Sequence, residues 1–252
     1  MATNPIEQTF AQRYEQICTN TFTECFGELA SKFFDEEFTE ERRAVRRCRL
    51  AKDLRWIRNE LREYGVDKFK SNLVEAGILE PVTHHVSTQK NIFAKFVSGQ
   101  MIPFYGDTKD HPEIFFAHNL KEYDDHVYDA TSKWLGKASF SETHKFIVPR
   151  DLTDWTLING LTLGIRDATD AQKAIDLLCK MKTYAIQKLG LPEERLGFFL
   201  HIYPFNSIQL LHLHVIDMTK TGPTYSELSF KNLPLDEMLI VLREEAGSLM
   251  TN

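Results

Sequence analysis

Apolar residues recur at helical steps through the first eighty positions. Phe10, Tyr14, Ile17, Phe22, Phe26 and Leu29 fall three to five apart, and Leu50, Leu54, Ile57, Leu61 and Tyr64 mark one face at four-three-four-three spacing before Gly65. Thr39 followed by Glu40 and Glu41 supplies a start with carboxylates at the positive end, so one long amphipathic helix is expected from Thr39 to Tyr64. Beyond Pro81 the period shortens. The pieces from Asn91 to Val97 and from Glu113 to Phe116 are β-rich and separated by Gly, Pro, Asp and His, as strands joined by loops are.

The polar stretch from Asn119 to Ser141 is read as an insertion or helix-bearing loop, and Lys145 to Val148 as an apolar strand closed by Pro149. From Asp170 to Leu189, Ala174, Leu177, Leu178, Met181 and Ala185 share a helical face, with Gly190 and Pro192 as the stop. A strand from Leu196 to Tyr203, a turn over Pro204, Phe205, Asn206 and Ser207, and a last strand from Ile208 to Asp217 make a hairpin. Strand, helix and antiparallel hairpin argue an α+β fold, with a helical N-terminal extension over residues 1–80 and a domain over 81–252.

Composition narrows the class. A chain of 252 residues, 42% hydrophobic and 26% charged, has the profile of a globular protein. A membrane span needs about eighteen consecutive apolar residues, and the richest runs, Gly197 to Tyr203 and Ile208 to Ile216, are broken by His or polar residues. The first ten residues carry Asn4, Glu7 and Gln8 where a secretory leader needs a basic start and an apolar core, so a cytoplasmic or nuclear location is expected. Cys18, Cys25, Cys48 and Cys179 form no Cys-x-x-Cys pair and are read as reduced packing residues.

A net charge of −6 gives no general attraction to nucleic acid or anionic lipid. One local exception stands out: Arg42, Arg43, Arg46, Arg47, Arg49, Lys52, Arg55, Arg58 and Arg62 form a basic run on the long helix. A solvated face is the expectation for it, and an RNA-contacting arm is the sharper alternative.

The candidate chemistry sits in the last strand. His212 and His214 project to one face, and Leu211, Leu213 and Val215 to the other. With nine histidines in 252 residues, some His-x-His arises by chance about 0.3 times, so the spacing needs company. That company is His144, at the mouth of the strand Thr143-His144-Lys145-Phe146-Ile147-Val148-Pro149-Arg150, and Ser207, five residues before His212. Two other readings stand beside catalysis: a zinc site of His212 and His214 with His201 as third ligand, and interior histidines satisfied by hydrogen bonds. His84, His85 and His111 are read as surface or turn residues, and Trp134 and Trp155 as packing residues rather than base-stacking platforms.

The stretch Ser207-Ile208-Gln209-Leu210-Leu211-His212-Leu213-His214-Val215-Ile216 resembles the signature of the histidine-triad superfamily, His-φ-His-φ-His-φ-φ with φ apolar. Residues Thr143 to Arg150 look like that family's Thr-His-φ-φ-φ-φ-Pro-Lys strand. The order of the motifs and the helix between them fit as well, with resemblance to the Hint/aprataxin branch and, through Leu191-Pro192-Glu193-Glu194-Arg195-Leu196 running into Leu200-His201 and Pro204, to the scavenger mRNA-decapping branch; together the matches cover about residues 113 to 218. The first triad histidine is Leu210 here.

The resemblance implies a histidine-triad-like antiparallel sheet with helices, acting as a nucleotide hydrolase or nucleotidyl transferase. Cleavage would occur at an α-phosphate of a capped or dinucleoside polyphosphate or a phosphoramidate, without metal or other cofactor. It implies His212 as nucleophile, His214 and His144 as donors to the non-bridging oxygens, and Ser207 as donor to the leaving group. Asn119 would stand near the ribose, His201 would be a further substrate-binding residue, and a homodimer is expected. The chemistry is sound for an imidazole, whose ordinary pKa near ~6.5 leaves a lone pair at neutral pH. The loss at Leu210 motivates the alternative of a nucleotide-binding scaffold without turnover.

Overall fold

A computed structural model describes residues 50–75, 77–83, 105–107, 111–118, 140–150, 153–158, 160–202 and 211–249. The expected first helix, the strand from Asn91 to Val97, most of the polar insertion, and Asn119, Trp134, Ser207 and Leu210 lie outside the described residues.

Among the described residues, two helices, α1 (Ala51–Tyr64) and α2 (Val66–Glu75), come first. Strands β1 (Tyr105–Asp107), β2 (Ile114–His118) and β3 (His144–Pro149) follow. Helix α3 (Ala168–Leu189) leads to β4 (Leu196–His201) and β5 (Leu213–Asp217). The short helix α4 (Pro223–Glu227), β6 (Asn232–Pro234) and α5 (Leu235–Leu249) complete the order. The six strands among the described residues form one antiparallel sheet in the order β1-β2-β3-β5-β4-β6. The fold is therefore α+β.

Alternation along the central strands divides the sheet into two unlike faces. Ile147, Leu213, Val215, Leu196, Leu200 and Leu233 belong to the main apolar core, together with Leu178 and Met181 of α3 and Met238 and Leu242 of α5. The other face carries Phe146, His214 and Phe199 side by side, because register sets Phe146 opposite His214 and His214 opposite Phe199. His144, His201 and His212 stand two residues from these and share their face.

Helix α3 obeys its local signals. Asp167 accepts the Asp170 backbone N–H at 2.8 Å as N-cap, and Gly190 closes the helix with φ 61°, in the left-handed region that favours glycine. The start of α1 is a correction to the single long helix expected from Thr39. Leu50 is extended (φ −124°, ψ 147°), and the Ala51 N–H is taken at 2.5 Å by the carboxylate of Glu237 on α5. A tertiary acceptor, rather than a local cap, therefore fixes where α1 begins.

Strand β5 is likewise shorter than expected. The Leu211 N–H donates at 2.8 Å to the carbonyl of Leu157, in the 3-10 turn Trp155–Ile158, so Leu211 pairs with that turn ahead of the strand. Nor is β5 the last strand, since β6 and α5 follow it.

The basic run also reads differently in the fold. Arg58 is fully buried. Its Nε and Nη2 grip Glu245 at 2.9 and 2.6 Å, and its Nη1 donates to the carbonyls of Gly160, Leu161 and Leu163 at 3.3, 3.0 and 2.8 Å. Arg62 reaches the same Glu245 at 2.7 Å, and Arg55 forms a two-point pair with Glu244 at 2.8 Å. These three arginines tie α1 to α5, and Arg58 alone of them is withdrawn from the expected solvated face; Arg55 and Arg62 stay partly exposed and Lys52 exposed, and Arg42 to Arg49 lie outside the described residues. The apolar stripe Leu54, Ile57 and Leu61 is spent in the same way, inside the chain's own core rather than on a surface for a second copy. Trp155 is buried in that core, as expected of a packing residue, and Cys179 is a free thiol at its edge. Among the described residues no helix is long and apolar enough to cross a membrane.

Burial raises the cost of ionising Glu245, yet the bonds from Arg58 and Arg62 outweigh it and hold its pKa below the ordinary value. Breaking a buried pair leaves an uncompensated charge, so Arg58→Met is expected to lower unfolding free energy by about 3–5 kcal/mol. The half-exposed Arg55→Met change is expected to cost no more than about 1 kcal/mol. Urea unfolding of both variants checks this; equal, small losses would mean that the buried guanidinium does not hold α1 to α5.

Candidate functional site

Four histidines from three adjacent strands meet on the second face of the sheet. His144 opens β3, His201 ends β4, and His212 and His214 lie just before and within β5. All are at least 96% buried, with exposures of 1%, 4%, 4% and 4% respectively. The ring centres of His201 and His214 are 3.9 Å apart, those of His212 and His214 4.7 Å, and those of His144 and His214 5.1 Å. Phe140 stacks on His144 at 4.9 Å with an 11° interplanar angle, and Phe146 meets His214 edge-on at 5.0 Å. The rings are packed against one another, and Ile216 and Leu228 close on Phe140 and Phe199 beside them.

Phe140 sets the protonation pattern through its backbone. Its carbonyl is held by the Gly222 N–H at 2.9 Å, while the Ser141 hydroxyl donates to the Asp217 carbonyl at 2.8 Å, which pins this segment against the end of β5. The Phe140 N–H then points at His144 Nδ1, 3.0 Å away. A backbone amide can only donate, so Nδ1 of His144 is the lone-pair nitrogen and Nε2 carries the proton. That Nε2–H lies 2.9 Å from His214 Nδ1, which must accept, leaving the proton of neutral His214 on Nε2. The buried His214 Nε2 has no hydrogen-bond partner.

A second chain runs the other way. His201 Nε2 lies 3.0 Å from Asn232 Oδ1, and an amide oxygen only accepts, so His201 donates there and keeps a bare lone pair on Nδ1. Register makes this contact, since β6 sets Asn232 opposite His201. Both His201 Nδ1 and Asn232 Nδ2 are buried without a partner. Lys231, 4% exposed, places its ammonium 5.6 Å from the centre of the Phe140 ring.

Burial is the main reason that His144, His201 and His214 are held well below the ordinary imidazole pKa. Lys231 adds to it for all three, as do Lys145 for His144 and the neighbouring imidazoles for each. All three are neutral at pH 7, as the donor and acceptor pattern requires.

Of the residues expected to carry chemistry, His144, His201, His212 and His214 are brought together, whereas Ser207 and Asn119 lie outside the described residues. The role of His144 changes: with both ring nitrogens engaged, it orients His214 instead of facing a ligand itself. His111 stays apart, its Nδ1 accepting from the Glu113 N–H at 3.2 Å. Phe140, Lys231 and Asn232 were not anticipated. Phe140 acts through its main chain, which no side-chain motif reveals, and Asn232 arrives through a strand that the hydropathy pattern does not announce.

Scanned against protein-family models, curated proteins and solved structures, the chain finds no match. What it can do must be read from the site itself.

One atom each of His201, His212 and His214 lies within 4.8 Å of the others, a spacing that a metal ion accepts. The proton on His214 Nε2 opposes that use. Freeing Nε2 for a cation would require His214 Nδ1 to donate to His144 and His144 Nδ1 to carry a proton toward the Phe140 amide, where two donors would face each other. A cavity of about 360 Å³ elsewhere, lined by Glu113, Thr156, Gly164, Asp170 and Lys180 among others, involves none of the four histidines. Its Asp170 is already gripped by Arg166 at 2.6 Å.

The lowered pKa values make stability pH-dependent. The unfolded histidines take up protons below about pH 6.5 while the folded ones stay neutral, so stability is complete above that value and falls as pH drops toward the folded pKa. Each histidine is expected to contribute up to about 1.4 kcal/mol per pH unit in this window. Urea unfolding from about pH 7.5 down to about pH 5 should show the loss, shallower in His201→Gln by one histidine's share. A profile that stays flat over that range would contradict the buried neutral cluster.

Proposed function

We propose that the chain is a nucleotide hydrolase or nucleotidyl transferase of histidine-triad type, with His212 attacking an α-phosphorus. The observation that carries this reading is the N–H of His214 Nε2, fixed by the Phe140–His144 chain, buried and unused beside the His212 ring. Such a donor suits an oxygen on which negative charge grows, and a donor of this kind is worth about 3–4 kcal/mol in a dry site.

In the first step the lone pair of His212 forms a P–N bond, and the bond from phosphorus to the leaving oxygen breaks with its electron pair. Water then attacks the nucleotidyl-histidine. The P–O bond forms, the P–N pair returns to His212, and the water proton leaves to a neighbouring base, giving the nucleoside monophosphate. His214 holds a non-bridging oxygen through both steps, and His144 keeps the His214 proton on the correct nitrogen. Ser207 is assigned to the leaving group and Asn119 to the ribose by resemblance alone. The homodimer and the cytoplasmic or nuclear location belong to the same proposal, as does the absence of a required cofactor. RNA contact by the basic run is not part of it for Arg55, Arg58 and Arg62, which are engaged within the chain.

A zinc-dependent enzyme on His201, His212 and His214 is the second reading, favoured by the 4.8 Å spacing and opposed by the tautomer chain. A nucleotide-binding scaffold is the third, motivated by Leu210. Incubation with an α-labelled dinucleoside polyphosphate separates them. Wild type is expected to retain acid-labile label and His212→Ala none, with turnover unchanged by a chelator. Loss of activity with chelator and recovery with zinc would establish the second reading. Nucleotide binding with neither label nor product would establish the third.

A further inference from the structure

The scheme above gives no role in binding to three buried groups at the histidine cluster: the Asn232 side chain against His201, the Lys231 ammonium over the Phe140 ring, and the second nitrogen of His201. We infer that Asn232 and Lys231 form the second half of the phosphate site, binding the anionic oxygens that the His214 N–H does not reach. This inference rests on the proposed function and deepens it by assigning the anion-binding residues.

The argument starts from unsatisfied donors. A buried polar hydrogen without an acceptor is destabilising, and Asn232 Nδ2 and His214 Nε2 both carry one. They belong to one assembly. Asn232 is tethered through Oδ1 to His201 at 3.0 Å, and the His201 ring lies 3.9 Å from that of His214. Its free NH2 end is therefore held in place beside the cluster, with its orientation fixed from the other end of the same amide.

Charge decides the class of ligand. Lys231 precedes Asn232 and is withdrawn from solvent, and its ammonium faces the Phe140 ring, whose plane is stacked on His144. Its field reaches His144, His201 and His214 and disfavours a further positive charge on any of them. An ammonium, an amide NH2 and an imidazole N–H gathered around one cluster of neutral rings suit a multidentate anion rather than a cation. A tetrahedral phosphate offers enough oxygens for all three donors. His201 Nδ1 is the lone-pair group among them and suits the hydrogen of a P–OH group or of water.

The test uses the full chain and four probes, AMP, GMP, adenosine and inorganic phosphate, with binding read by calorimetry at several salt concentrations. Wild type is expected to bind at least one nucleoside monophosphate and inorganic phosphate, and to prefer AMP over adenosine. Lys231→Met should weaken AMP and phosphate at least tenfold, leave adenosine unchanged and flatten the salt dependence, and Lys231→Arg should restore most of the loss. Asn232→Ser, which removes the NH2 donor, is the second variant, and it should weaken AMP but not adenosine. It decides the matter if Lys231→Met does not fold by thermal unfolding. If AMP preference survives Lys231→Met, or survives Asn232→Ser where the lysine variant is unfolded, the inference is overturned while the proposed function stands. If wild type binds neither phosphate nor any nucleotide above adenosine, both fall together.

Discussion

A single backbone amide governs the chemistry of the histidine cluster. The Phe140 N–H has no option but to donate, and its contact with His144 Nδ1 fixes in turn the proton of His144, the accepting nitrogen of His214 and the free N–H of His214 Nε2. Burial makes this pattern binding, because rings kept neutral by desolvation cannot carry protons on both nitrogens to escape it. The cluster thus holds an unpartnered imidazole donor among its rings rather than a set of interchangeable ligands.

The rest of the fold serves to hold that amide and those rings in register. The turn after β5 grips Phe140 and Ser141, so the first link of the chain is fastened to the strand that bears its last. The sheet keeps its two faces distinct: the main aliphatic core packs on α3 and α5, and the imidazole rings gather on the opposite side with Phe140, Phe146, Phe199 and a few aliphatic chains such as Ile216 and Val148. Behind the apolar face, Glu245 and Glu237 of α5 fix α1 through Arg58, Arg62 and the first helical N–H. A sheet so braced from behind can bear the cost of buried polar groups on its other face.

The sequence pattern made α3, β2, β3, β4 and the shared face of His212 and His214 legible because these depend on local alternation, caps and stops. What it could not convey was tertiary. The start of α1 depends on Glu237, almost two hundred residues away, and Arg58 looks solvated in the sequence until Glu245 of α5 and the carbonyls of Gly160, Leu161 and Leu163 bury it. Helix α5 was in fact readable, since Leu235, Met238, Leu239, Leu242 and Ala246 keep a helical spacing; β6, three residues long, gives no period to detect. The role of His144 as an orienting group, and the entry of Phe140, Lys231 and Asn232, follow from cross-strand register and main-chain direction, which motif spacing does not encode.

The central claim, that neutral His214 carries its proton on the unpartnered Nε2, is tested most directly by nitrogen-15 NMR of the histidine rings at neutral pH. Long-range couplings distinguish a protonated from a lone-pair nitrogen in each imidazole. The account predicts that His144 and His214 both carry their proton on Nε2 and that His214 Nδ1 is the unprotonated nitrogen. A His214 protonated on Nδ1, or charged on both nitrogens at pH 7, would contradict it.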